Sequence, residues 1–330
     1  MKPTTPPVPA SAPGPVWIMG AGSVGCYVGG CLQAAGVPVV FIGRPRVIQA
    51  LRSQGLRLTD LDGRDQHIAP EALRLHEAMP DDPTPPALVL LCVKSPGTAE
   101  AARQLASRLP AHTLVLPLQN GLRNAEQAHQ VAPQLHVLPA MVPYNIAELA
   151  PGHYHRGTTG HLAAQNTAAL AGWAPVFERA GIPLDRHTDL KPVQWGKLLL
   201  NLNNPVNALS GLPLLAELLT PQHRRHFAAL MREALGLLKK AGIQPAQLTP
   251  LPWAVLVRVL QLPTPLFRLV AARMLRIDPQ ARSSMADDLA LGRTTEIDAL
   301  SGEVVRLATQ LGTTAPLNEA IVERIHALQR

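Results

Sequence analysis

Two sets of residues have types and spacings that suit a reaction rather than a core. Gly20-Ala21-Gly22-Ser23-Val24-Gly25 fits G-x-G-x-x-G, follows the apolar run Val16 to Met19 and opens a stretch of small and apolar residues. In such a turn the first glycine makes the bend, the second lets backbone approach a pyrophosphate, and the third lets helix pack on strand. The helix N-terminus that follows offers unpaired N–H groups and partial positive charge, so the chemistry is dinucleotide binding. The second set is Lys197, Asn201 and Asn204, which share one helical face at about 100° per residue while Asn203 points elsewhere. A cation and two amides among leucines are costly to bury unless they meet polar partners or a ligand. The competing reading is that Asn204, which precedes Pro205, serves a helix break.

NAD-binding versions of the glycine turn need a carboxylate roughly 20 residues on, to hold the ribose 2′-hydroxyl. Here the first carboxylate after Gly25 is Asp60, whereas the second apolar run, Val37 to Ile42, ends in Gly43-Arg44-Pro45-Arg46. A guanidinium fork matches a 2′-phosphate in charge and geometry. The expected cofactor is therefore NADP(H), held by Gly20, Ala21, Gly22, Ser23, Val24, Gly25 and Arg44. Lys94 and Gln119-Asn120-Gly121 each follow a strand-like run. Either alone reads as ordinary loop polarity, but together they deliver polar groups to the sheet edge where open α/β folds bind ligands. Further on, Ser283-Ser284-Met285-Ala286-Asp287-Asp288 precedes Gly292-Arg293-Thr294-Thr295-Glu296-Ile297-Asp298. Ser283 or Ser284 fits a helix N-cap, with Asp287 in the reach-back position of a capping box for the second serine. Glu296 reads equally as a solvated helix carboxylate.

The elements that must position these residues follow from periodicity. Strand-like runs at Val16 to Met19, Val37 to Ile42, Ala87 to Val93 and Thr113 to Leu116 alternate with helical stretches at 23–35 and 98–109. That alternation predicts an α/β fold with a Rossmann-type, mostly parallel sheet. Residues 56–68, with Asp62-Gly63 at the centre, predict an inserted hairpin. From about Leu190 the apolar residues recur at helical spacing, which predicts a C-terminal all-helical domain. The expected spans are a disordered proline-rich tail over 1–14, the dinucleotide domain over 15–187 and the helical domain over 188–330, with a hinge at His187 to Leu190. Residues 244–252 read as a loop, and 253–276 as two helices broken at Pro263 and Pro265.

Composition narrows the function classes. The chain has 330 residues, 47% hydrophobic, with 33 prolines, and that length favours two domains. Its charge of +7 and pI near 9.8 invite a nucleic-acid reading, but the arginines are scattered and only 3% of residues are aromatic. An anionic cofactor and substrate suit the same charge. Three cysteines without a C-x-x-C pair fit reduced thiols in a cytoplasm. No run approaches the roughly 18 to 20 apolar residues of a membrane span. The expected partners are a small molecule and a second copy in a homodimer, with no nucleic acid, membrane or metal.

From about residue 15 to its end the chain resembles the 2-dehydropantoate 2-reductases, or ketopantoate reductases. The likeness rests on GAGSVG, Arg44, VKS at Lys94, QNG at Asn120, W-x-K-L-x-x-N at Lys197, and SSM followed by GRTTEID. The spacings of 26 residues from Lys94 to Asn120 and 12 from Ser284 to Glu296 also agree with the family. The resemblance implies NADPH-dependent reduction of 2-dehydropantoate to (R)-pantoate, in a cleft between two domains that closes on substrate. It implies Lys197 as the general acid at the C2 carbonyl oxygen, supported by Glu296. Asn201 and a second asparagine would hold the substrate hydroxyl, Ser284 its carboxylate, and Lys94, Asn120 and Glu296 the cofactor side, with Asn120 touching substrate too. Hydride addition to a ketone puts negative charge on oxygen that a donor must neutralise. Burial would lower the lysine pKa and Glu296 would raise it, a balance the sequence leaves open. The family pattern often places the second asparagine eight positions after the lysine, where this chain has Pro205, so Asn203, Asn204 and Asn207 compete and Asn204 is nearest. Two alternatives stand beside this reading: a paralogue reducing another 2-oxo acid or ketone, and a non-catalytic NADP-binding regulator. Lys197 together with Glu296 argues against the regulator.

Overall fold

The computed structural model describes residues 13–81, 84–272, 275 and 280–329. The expected tail lies outside them except for Pro13 and Gly14, as do Arg273 and Arg276. The first half of the chain runs β1 (Val16–Met19), α1 (Ser23–Ala34), β2 (Val39–Ile42), α2 (Pro45–Gln54), β3 (Leu56–Asp60), β4 (Asp65–Ile68), β5 (Arg74–His76) and β6 (Leu88–Leu91). It continues through α3 (Thr98–Ala106), β7 (Leu114–Pro117), α4 (Asn124–Val131), β8 (His136–Val137), β9 (Ala140–Met141), β10 (Ile146–Ala150), β11 (His153–Arg156), β12 (Leu162–Gln165), α5 (Ala174–Arg179) and β13 (Leu184–His187).

The Rossmann-type sheet has six parallel strands in the order β5-β2-β1-β6-β7-β8, so strand order reverses at β1, next to the glycine turn. Its strands read as unbroken apolar runs because both faces are covered. Val16, Ile18, Phe41, Leu88 and Leu90 enter one core, while Trp17, Met19, Val40, Val89 and Leu91 enter another with α3 and α4. Helix α1 passes close to strands on two sides. A Cβ on Gly29 would meet the Phe41 ring at 2.7 Å, and one on Gly30 would meet Leu56 of β3 at the same distance.

The hairpin over 56–68 forms, with β3 and β4 paired antiparallel from Leu56 with Ile68 to Thr59 with Asp65. It belongs to a second sheet, β10-β11-β3-β4, and a third sheet runs β13-β12-β9. The sequence pattern predicts neither β5 nor any of β8 to β13. Strands β8 and β9 are two residues long, and the exposed face of β10 and β11 carries charged and imidazole side chains that blur any apolar pattern.

Backbone contacts divide the chain into two compact units. The first holds the described residues up to Val93, Gly97–Leu118 and Ala125–Thr188. The second holds Asp189 onward together with two loop segments, Lys94–Pro96 and Gln119–Asn124, which the sequence spans had assigned to the first. The second unit is helical: α6 (Lys191–Asn201), α7 (Asn203–Ser210), α8 (Leu214–Leu219), α9 (Pro221–Lys240), α10 (Trp253–Val259), α11 (Thr264–Val270), α12 (Ser284–Ala290), α13 (Ser301–Gln310) and α14 (Pro316–Leu328). The 20-residue α9 runs through its core, which gathers Trp195, Leu199, Phe227, Met231, Trp253, Phe267, Val304 and Ile321. The break between α10 and α11 falls at Pro263, as proline demands. The loop over 244–252 lies on α6, where Ala246 N–H donates to Pro192 O and a Cβ on Gly196 would come within 2.5 Å of Ala246 O.

Candidate active site

In the first unit, the glycine turn is shaped from both sides by its neighbours. Gly20 has φ +111°, and a Cβ there would lie 2.5 Å from Val93 N. A Cβ on Gly25 would lie 2.3 Å from Gly20 O. A Cβ on Gly22 would meet nothing within 4 Å, so the second glycine faces open space where a diphosphate can approach backbone. The first helical acceptor, Gly22 O, takes Cys26 N–H at 2.8 Å, which leaves the preceding N–H groups at the start of α1 for an anion. These residues fit a dinucleotide.

Arg44 is exposed at the N-cap of α2 and makes no hydrogen bond or ion pair among the described residues. Arg46, two positions on, grips Glu148 with two bonds of 3.1 and 2.9 Å. On the neighbouring strand side, Glu77 is neutralised by Arg52 at 2.8 Å. One guanidinium is thus left at the end of β2 beside a helix N-terminus, a fitting place for a 2′-phosphate.

The second unit brings Ser95, Asn120, Asn201 and Glu296 into one hydrogen-bonded set. Leu91 pairs with Pro117 in adjacent parallel strands, and Lys94 and Asn120 each lie three residues further on, which explains the 26-residue spacing. Buried Glu296 accepts Ser95 N–H at 2.9 Å and lies 2.8 Å from Ser95 Oγ, both through Oε1, while Oε2 accepts Asn120 Nδ2 at 2.8 Å. A carboxylate only accepts, so it fixes the Asn120 amide with Oδ1 toward Asn201, whose Nδ2 donates to it at 3.1 Å. The Asn120 backbone carbonyl in turn takes Asn124 Nδ2 at 2.7 Å. Gly121, at φ +97°, closes the loop on Ala299, whose Cβ would be 2.9 Å from an added one.

Lys197 is half-buried on α6, and desolvation pushes its ammonium down to about 8. In the balance left open by the sequence, burial is the cause that moves the lysine. Cys26 and Cys31 are pushed the other way, to about 12 and 11, which makes them poor nucleophiles.

The three competing asparagines separate. Asn203 donates to Glu217 Oε2 at 2.9 Å, and Asn207 is fully buried, donating to Leu212 O and accepting Ser283 N–H. Both side chains are engaged by other parts of the fold. The Asn204 side chain is half-buried and makes no hydrogen bond among the described residues, although its carbonyl accepts Ser283 Oγ. The helix breaks at Leu202, so Pro205 sits harmlessly in the first turn of α7 rather than causing the break. The serines separate too. Ser283 caps α12 by accepting Ala286 N–H at 3.2 Å, which leaves the Ser284 hydroxyl without a hydrogen bond among the described residues.

Ser95 and Asp288 were missed as site residues. Asp288 lies one helical turn after Ser284 and holds Lys94 Nζ at 2.5 Å. Its signal was that i, i+4 spacing, masked by the more obvious capping role of Asp287 next to it. Among the described residues there is no cluster of three or more His, Cys, Asp or Glu placed to hold a metal, and no helix long and apolar enough to cross a membrane.

Comparison with known proteins identifies the family. Residues 16–168 match the model of ketopantoate reductase PanE/ApbA, and residues 189–329 match that of the family's C-terminal region. A 2-dehydropantoate 2-reductase from Halobacterium salinarum is 29% identical over 96% of this chain and 99% of its own. The crystal structure of a PanE/ApbA family ketopantoate reductase from Ralstonia eutropha JMP134 superposes with a TM-score of 0.78 at 31% identity, covering 96% of this chain and 98% of that one. A D-mandelate dehydrogenase solved with NADH and anilino(oxo)acetate shares the fold, with a TM-score of 0.78 at 19% identity and coverage of 96% and 98%. With both halves of the chain matched and the glycine turn, the Lys197 helix and the Glu296 set in place, the chain belongs to the ketopantoate reductase family, oxidoreductases acting on a ketone or the alcohol it yields.

Proposed function

We propose that this protein reduces 2-dehydropantoate to (R)-pantoate with NADPH, using Lys197 as the general acid. The observation that carries the reading is Lys197 itself, a lysine with its pKa brought to about 8, near the operating pH where proton donation is most effective. The bound nicotinamide would supply hydride to the C2 carbon. Lys197 gives its proton to the carbonyl oxygen as charge develops there. Asn201 and Asn204 hold the substrate hydroxyl, Ser284 its carboxylate, and Lys94 and Asn120 line the cofactor and substrate side. Glu296 keeps Asn120 and Ser95 in place. Gly20 to Gly25 hold the diphosphate and Arg44 the 2′-phosphate, in a cytoplasmic homodimer.

The departure at Pro205 favours a second reading, in which a family member with an altered hydroxyl contact reduces a different 2-oxo acid. The purified protein assayed with NADPH against a panel of 2-oxo acids, followed by loss of nicotinamide absorbance, separates the two. 2-Dehydropantoate should give the highest kcat/KM. A branched or aromatic 2-oxo acid preferred by more than tenfold would establish the second reading, and no oxidation with any of them would remove both.

A further inference from the structure

Lys94 and Ser95 are anchored by two carboxylates that lie eight residues apart in the chain. Glu296 holds the backbone and hydroxyl of Ser95, and Asp288 holds the Lys94 ammonium at 2.5 Å. The Asp288 side chain is 6% exposed against 38% for Lys94, so the carboxylate is a fixed point and the lysine reaches to it from a loop. Burial pushes the Asp288 carboxyl up, and Lys94 opposes that shift. Such a pair contributes little net stability, because desolvating the carboxylate offsets the attraction. What it does supply is position. A lysine has a flexible four-carbon stem and three N–H donors; with one spent on Asp288, two remain, in a fixed place. On α12, Asp288 sits one turn from Ser284, so the two project from the same side of that helix.

We infer that Asp288 is a positioning residue, which holds Lys94 so that its two remaining N–H donors meet the bound 2-oxo acid beside Ser284. The inference rests on the reading of Lys94 and Ser284 as substrate-facing groups.

The test is a double-mutant cycle on the full-length enzyme with 2-dehydropantoate and NADPH. Asp288→Asn should raise KM for the 2-oxo acid about tenfold, with kcat within about threefold, as expected for loss of one charge-assisted contact. In the Lys94→Met background the same substitution should change KM by less than about twofold, because it then has no lysine to position. Independent, multiplying effects of the two substitutions would overturn the inference, since a merely structural role for Asp288 does not depend on Lys94. An unchanged KM in Lys94→Met would overturn it as well. Should Asp288→Asn not fold, Asp288→Glu keeps the charge and displaces Nζ by about one bond. It should raise KM with the melting temperature retained, and an unchanged KM there counts against the inference. A wild-type enzyme inert toward every 2-oxo acid would fail the proposed function instead.

Discussion

At the scale of single residues, burial sets the behaviour of two ionisable groups. Lys197 has its pKa lowered from 10.5 to about 8, so the charged form is disfavoured in the folded state. That penalty is complete below pH 8 and is relieved as the pH rises toward 10.5, where the unfolded lysine also loses its proton. Lys197→Met should therefore melt higher than the wild type at pH 7, with the gain vanishing by pH 11, while turnover falls at least about 100-fold. Calorimetry across that range and steady-state assays check both halves, and a variant that is both less stable and active would contradict them. Glu217 is the opposite case, a fully buried acid raised from 4.5 to about 7. Its Oε1 lacks a donor among the described residues, and the protonated acid carries an O–H donor that the carboxylate does not. Its stabilising contribution is complete below pH 4.5 and is lost as the pH rises through 7. Glu217→Gln, which carries that donor permanently, should be more stable than the wild type at pH 8 and no more stable at pH 5. Ser283→Ala should cost about 1 kcal/mol of stability as a lost cap, whereas Ser284→Ala should raise KM for substrate with an unchanged melting temperature. The sequence showed these residues but not their division of labour. A pair of serines, or three asparagines in five positions, differ only in what lies opposite them, and those partners come from the next turn, from α8 and from segments 76 and 79 residues away.

Helices and strands were legible where one period dominated. The strand, turn and helix from Val16 to Ala34 could be read because a doubly covered strand is apolar throughout and a glycine turn has few other uses. The break between α6 and α7 was legible only as the competing reading of Asn204 before Pro205, and it falls earlier, at Leu202. The 100° rule placed Asn204 in phase with Lys197, whereas a new helix begins at Asn203 and sets its direction. Within the turn, the three glycines carry separable loads. Gly25→Ala drives a methyl into Gly20 O and Ile18, so it should lower the melting temperature by several degrees. Gly22→Ala meets no protein atom and should leave stability nearly unchanged while raising KM for NADPH. Equal melting temperatures for the two would refute that division. Arg44→Asp should raise KM for NADPH about 10- to 100-fold and that for NADH little, because only the former carries the 2′-phosphate.

For the molecule as a whole, the charge of +7 overstates the free cationic surface, since Arg46, Arg52, Arg57, Arg103 and Arg156 all sit in ion pairs. The net excess still attracts an anionic cofactor over the Debye length. The apparent KM for NADPH should accordingly rise as salt is increased from 20 to about 300 mM, and a flat profile would deny long-range steering. The two-part organisation was readable from the change of period near Leu190. The allegiance of Lys94–Pro96 and Gln119–Asn124 was not, because it depends on Glu296, some 170 to 200 residues downstream. That allegiance limits how relatives of this chain can recombine. A single crossover near Thr188 would pass on Glu296 and Asn201 from one parent but Ser95 and Asn120 from the other, so the buried carboxylate and its donors would descend separately. A working hybrid of two distant members has to inherit three pieces of one parent together, and the short loops, nine residues in all, matter as much to that inheritance as the helices do.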